Sequence, residues 1–136
     1  MEWLRSLDEA LLWRAASALM LLWLAVFFGR TLRAGQVPLI ERIARVSEPA
    51  LPPPLCRYTR RLTALWCAYF LLAALLSLMP GSGLVRTGVL VWTGTAVLFI
   101  GERLLRPRFF PGHAFPGLLQ QLRDTWSVWR PRKAAR

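Results

Sequence analysis

Three apolar runs organise the chain. Ala10 to Gly29 is broken only by Arg14 and Ser17, Leu62 to Pro80 holds no charge, and Leu84 to Gly101 is charged only at Arg86. A hydrocarbon core about 30 Å thick is crossed by about 20 helical residues at about 1.5 Å each. Buried helices of soluble domains are usually shorter, and three such runs in 136 residues leave too little polar chain to cover them. The pattern therefore predicts transmembrane helices over 10–29, 62–80 and 84–101. The first run does not read as a cleaved leader. Residues 1–14 carry Glu2, Asp8 and Glu9 against Arg5 and Arg14, and Phe27-Phe28-Gly29-Arg30 follows with no small-residue cleavage site.

The segments between the runs are patterned too. In the connection 30–61, Pro38 is placed to open a helix. Leu39, Ile40, Ile43 and Val46 then fall on one face, with Glu41, Arg42 and Arg45 on the other. Glu48-Pro49 ends that helix, and Pro52-Pro53-Pro54 reads as a stiff extended spacer. Pro80-Gly81-Ser82-Gly83 predicts a tight hairpin between the second and third membrane helices. In the tail 102–136, Phe115, Leu118, Leu119, Leu122, Trp126 and Trp129 recur at helical spacing opposite Gln120, Gln121, Arg123, Asp124 and Ser127. Such a helix suits a membrane surface or a groove on a partner. The fold class expected is an all-α integral membrane protein, with three transmembrane helices and two cytoplasmic interfacial amphipathic helices, forming a single membrane domain over 1–136.

Charge sets the orientation. Lysines and arginines number two in residues 1–14, seven in 30–61, one near the hairpin and eight in the tail. This alternation places 15 of the 18 on one side, which the positive-inside rule makes cytoplasmic. The expectation is a bacterial inner membrane with the N-terminus periplasmic and the C-terminus cytoplasmic. The net charge of +11 then reports topology and a surface facing anionic headgroups. A nucleic-acid partner is not expected, because the arginines flank membrane runs instead of lining one face of a soluble fold. A hydrophobic content of 55% excludes intrinsic disorder, and two cysteines exclude a disulfide scaffold.

Within the helices, Arg14 and Arg86 lie near the outer ends, where they can snorkel. No Asp, Glu, His or Lys lies deep in a run, which argues against a proton-coupled transporter or pump. Ala64 with Ala68 and Ala73 with Ser77 are spaced for close packing, although alanine is common in any apolar helix. Trp13 and Trp66 fall near interfaces, and Trp23 and Trp92 nearer mid-membrane, where interhelical packing is the first expectation and lining of a lipid or acyl-chain groove the alternative. Cys56 and Cys67, about 16 Å apart on a helix, are too distant for a disulfide.

Candidate chemistry is sparse. His113 is the single histidine, in a turn-rich aromatic stretch, and reads first as an exposed loop residue. There is no clustered metal-ligand set, paired carboxylate, phosphate loop or dinucleotide fingerprint, so no catalytic residue, metal or cofactor is assigned. The polar groups left for any catalytic reading are Glu102, His113 and Tyr58. Candidate contacts to headgroups or an acidic partner are Arg42, Arg45, Arg57, Tyr58, Arg60 and Arg61.

Pro38-Leu39-Ile40, Arg42, Ala44-Arg45, Leu51-Pro52-Pro53 and above all Tyr58-Thr59-Arg60-Arg61 with Thr63 and Trp66 carry a resemblance. Over residues 37–80 the chain resembles uncharacterised bacterial inner-membrane proteins encoded within aryl polyene, xanthomonadin-type and related fatty-acid-like gene clusters, some of them labelled ketosynthase. The resemblance implies a non-catalytic accessory or scaffold in a carrier-protein-dependent lipid or pigment pathway. Acyl carrier protein or pathway enzymes would be its partners, alongside membrane lipids. Two alternatives stand beside it: a small membrane enzyme or carrier acting on a lipid or polyene intermediate, and a structural subunit of a larger complex. An oligomer is compatible with all three.

Overall fold

A computed structural model describes the backbone of residues 2–81, 84–114 and 118–129. Its elements are five helices: α1 (Glu2–Arg30), α2 (Leu39–Ser47), α3 (Pro53–Leu78), α4 (Leu84–Phe109) and α5 (Leu118–Trp129). No strand occurs among the described residues. Three helices, α1, α3 and α4, are long and apolar enough to cross a membrane, so the architecture is the all-α membrane class that the apolar runs predict.

Each long helix outruns its apolar stretch. α3 begins at Pro53, so the expected extended spacer is wrong for Pro53 and Pro54. The Pro52 carbonyl accepts the Cys56 amide at 3.1 Å, which puts Pro53 and Pro54 in the first helical turn. Amides there have no intrahelical acceptor, so prolines remove nothing, and their φ already suits a helix. α4 continues past Gly101 to Phe109 with Pro107 inside its last turn. The lost amide there deletes a single bond near the helix end. Gly112, at φ 89°, turns the chain beyond it.

Contacts divide the chain into two compact units, residues 1–26 with 67–113 and residues 27–66 with 114–136. In the first, two side chains tie α1 to the second half of α3. Arg14 Nη2 donates to the Met79 carbonyl at 2.7 Å, and Cys67 Sγ to the Ala25 carbonyl at 3.2 Å. The two pairings run in opposite chain directions, so the helices are antiparallel. Ala18, Leu21 and Ala25 on α1 and Phe70, Ala73, Ala74 and Ser77 on α3 are buried. Ala73 and Ser77 thus serve close packing, whereas Ala64 and Ala68 are exposed. α3 and α4 form the expected hairpin, with Gly81 at φ 82° in the turn. Tyr69 Oη donates to the Val91 carbonyl at 2.6 Å across it.

The large apolar side chains mostly face outward. Trp23 is 60% and Trp92 77% exposed, so most of each indole faces outward. For a membrane helix this is the lipid-facing arrangement, because lipid tails cover apolar surface as well as a protein core does.

In the second unit, α2 packs against α5. The expected polar face of α2 needs correction at Glu41, which is buried beside Leu39 while Val46 stays exposed. An ion pair with Arg45 permits that burial.

Candidate functional site

The basic candidates converge on the second unit, around α2 and the start of α3. The chain leaves α1 through two short turns, Thr31 N to the Phe28 carbonyl and Leu32 N to the Gly29 carbonyl. Gly35, at φ 78°, then redirects it towards Pro38. Pro38 is the N-cap of α2 in an extended conformation, with no side-chain oxygen to offer the first-turn amides. The turn after α1 and the helix α3 supply the oxygens. Thr31 Oγ1 accepts the Leu39 amide at 3.1 Å, and Thr63 Oγ1 accepts the Ile40 amide at 3.4 Å. Each hydroxyl keeps its own proton engaged, Thr31 on the Phe28 carbonyl and Thr63 on the Thr59 carbonyl. The start of α2 is therefore anchored to the end of α1 and to α3 by two residues that local sequence reading passes over.

The end of α2 is anchored by Arg45. Its Nε and Nη2 donate to Glu41 Oε1 at 2.9 and 2.7 Å. Nη1 reaches the Pro49 carbonyl at 3.4 Å and Nη2 the Cys56 sulfur at 3.7 Å. Cys56 Sγ donates in turn to the Leu51 carbonyl at 3.5 Å. The hydrogen bond to the Glu41 carboxylate holds the Arg45 guanidinium above its ordinary pKa despite some desolvation. Arg45 is thus a clasp joining α2, the connection and the first turn of α3.

The other candidates separate by what they touch. Arg60 Nη2 donates to the Leu32 carbonyl just beyond α1. Arg42 Nη2 reaches its own connection at the Val37 carbonyl, 3.4 Å away, and remains exposed. Tyr58 is half-buried. Arg57 and Arg61 are exposed, one turn apart on one face of α3. Neither engages another described residue. Of the six candidates, these two present uncommitted charge.

Three apolar side chains of α5 are uncovered. Leu119, Leu122 and Trp126 are all more than 60% exposed although the helix packs on α2. Phe115, the basic residues from Arg130 onward and the side chains of Leu118, Gln121, Asp124 and Trp129 lie outside the described residues.

In the first unit, Glu102 forms an ion pair with Arg106, both side chains largely sheltered. A carboxylate so engaged is poorly placed to trade protons with a substrate. His113 is half-buried, its amide donating to the Phe110 carbonyl at 3.3 Å in the turn after α4. Among the described residues no three His, Cys, Asp or Glu side chains are grouped to hold a metal ion. Compared with known proteins, the chain matches no family model, no curated protein and no solved structure.

Proposed function

We propose that this chain is a non-catalytic accessory protein of a bacterial inner membrane, oriented with its N-terminus in the periplasm and its C-terminus in the cytoplasm. It recruits an acidic partner, an acyl carrier protein or the enzymes that use it, to the membrane surface in a lipid or aryl-polyene pigment pathway. The observation that carries the docking reading is the Arg57–Arg61 pair, uncommitted on α3 while Arg45 and Arg60 are engaged within the chain. An acidic surface meeting such a pair gains both affinity and orientation. The uncovered Leu119, Leu122 and Trp126 suit insertion of α5 at the headgroup level. The pathway rests on the resemblance over residues 37–80.

Charge reversal at Arg57 and Arg61 together is the test, with Arg60 left intact because it supports the end of α1. Pull-down of the pathway's carrier protein from detergent-solubilised membranes is expected to be lost. Unchanged pull-down with unchanged product output would remove the docking role. For orientation, a C-terminal fluorescent protein should glow and a C-terminal periplasm-dependent phosphatase stay inactive; the reverse pattern would overturn the topology.

A further inference from the structure

The first unit contains a groove that the docking reading does not use. It lies between α3 and α4 and has a volume of about 400 Å³. Leu72 and Leu76 form one wall and Leu90 and Val91 the other. One end opens at the hairpin beside Met79 and Arg86, and Tyr69 lines the other. From Met79 to Tyr69 the helix rises about 15 Å, half of a hydrocarbon core about 30 Å thick. The groove therefore has the depth of one leaflet.

Its inner end is closed by a specific contact. Tyr69 Oη donates to the Val91 carbonyl and lies 3.3 Å from Thr95 Oγ1. Gly94 makes room for it, since a Cβ there would stand 2.7 Å from that oxygen. With its hydroxyl satisfied, Tyr69 makes no polar demand on an occupant, and the walls are aliphatic. The outer end differs. Arg86 is exposed and engages no described residue. The sequence holds no acidic residue from Pro49 to Gly101, so neither hairpin helix offers a nearby carboxylate at that end. Arg14, whose guanidinium is on the Met79 carbonyl, adds a second positive charge beside the hairpin, while the Asp8 and Glu9 carboxylates of the same helix lie at least a turn before it.

We propose that this groove holds one acyl chain of an anionic phospholipid from the surrounding bilayer, with the lipid phosphate paired to Arg86. Leaflet depth, aliphatic walls and a closed inner end fit an acyl chain. An uncommitted guanidinium at the headgroup level fits the phosphate, which accepts two parallel hydrogen bonds from it. The site is independent of docking at Arg57 and Arg61 and survives if that reading fails.

The test is native mass spectrometry of the full chain released from nanodiscs containing equal phosphatidylglycerol and phosphatidylcholine. Retention of one phosphatidylglycerol over phosphatidylcholine is expected. Arg86→Gln should reduce that preference about fivefold, the effect of one arginine near an anionic surface. Leu90→Trp, which fills the groove from an exposed position, should abolish retention of both lipids. Arg33→Gln, an exposed basic change in the other unit, should leave both unchanged. Equal retention of the two lipids by the unaltered chain would overturn the site. So would an Arg33→Gln effect as large as that of Arg86→Gln, or a Leu90→Trp variant that keeps its lipid.

Discussion

Replacing Thr63 by Val should loosen the start of α2 more than it weakens the protein as a whole. Thr63 is fully buried, so water cannot take over the role of its hydroxyl. Valine keeps the shape and removes the acceptor for the Ile40 amide. A buried donor left unsatisfied costs about 1–3 kcal/mol. The 3.4 Å separation is beyond the usual range of N–H···O bonds, which places this one near 1 kcal/mol, or about fivefold in local opening. The Thr59 carbonyl loses only a supplementary bond, because a helical carbonyl also accepts an amide one turn ahead. The added methyl in an apolar setting offsets part of the global loss. Thr31→Val removes a shorter bond, 3.1 Å to the amide of buried Leu39, and likewise leaves that donor without its partner. Amide hydrogen exchange by NMR in micelles reads each site separately. Exchange at Ile40 should accelerate about fivefold in Thr63→Val, with a comparable change at Leu39 in Thr31→Val. Unaltered protection of Ile40, or a larger effect there from Thr31→Val, would refute the capping scheme.

Three further outcomes follow from the side-chain geometry. Arg14→Gln should lower resistance to unfolding in SDS by about 1 kcal/mol, through loss of the bond to the Met79 carbonyl at the end of α3; an unchanged midpoint would count against that contact. Gly94→Ala should destabilise the α3–α4 hairpin by about 1–3 kcal/mol, and Tyr69→Phe in the same chain should restore part of it by removing the oxygen 2.7 Å from the new Cβ; equal losses in the single and double variants would deny the clash. Arg45→Lys keeps the charge but lacks the fork that reaches Glu41, Pro49 and Cys56 together. Faster maleimide labelling of Cys56 is the expected result, and an identical rate would show that the clasp does not hold the connection.

What the sequence made legible was whatever depends on neighbours along the chain. Run length located α1, α3 and α4, and Pro38 and Glu48-Pro49 bounded α2 within a residue. Pro80 and Gly81 marked the hairpin. What stayed hidden depends on residues far apart. Nothing near Pro38 says that Thr31 and Thr63 will cap the helix it opens; the missing N-cap oxygen was the only sign that one must come from elsewhere. Glu41 was placed on the solvent face because periodicity counts it as polar. Its partner lies one turn away, and the pair is sheltered as a unit. The proline triplet misled because fixed φ suits an extended spacer and a first helical turn alike.

The arginines divide into two kinds, and this division changes what the net charge can mean. A helix ends in carbonyls with no intrahelical donor, and near a membrane water is not always there to meet them. Arginine, with five donors on a long stem, can reach back to such carbonyls while keeping its charge. Arg14 does this at the end of α3 and Arg60 just beyond α1, and Arg45 does it at Pro49 after α2. These three serve the fold, and the positive field they contribute is incidental to it. Arg57, Arg61 and Arg86 make no such contact with any described residue, and two of the three sit within a turn of an arginine or carbonyl that is engaged. Their charge faces outward with no internal use. Arg30, Arg33, Arg108 and Arg123 are exposed and equally uncommitted among the described residues, so a functional argument from the +11 must be carried by arginines of this second kind, where an anionic partner or headgroup would find a guanidinium that folding has not already committed.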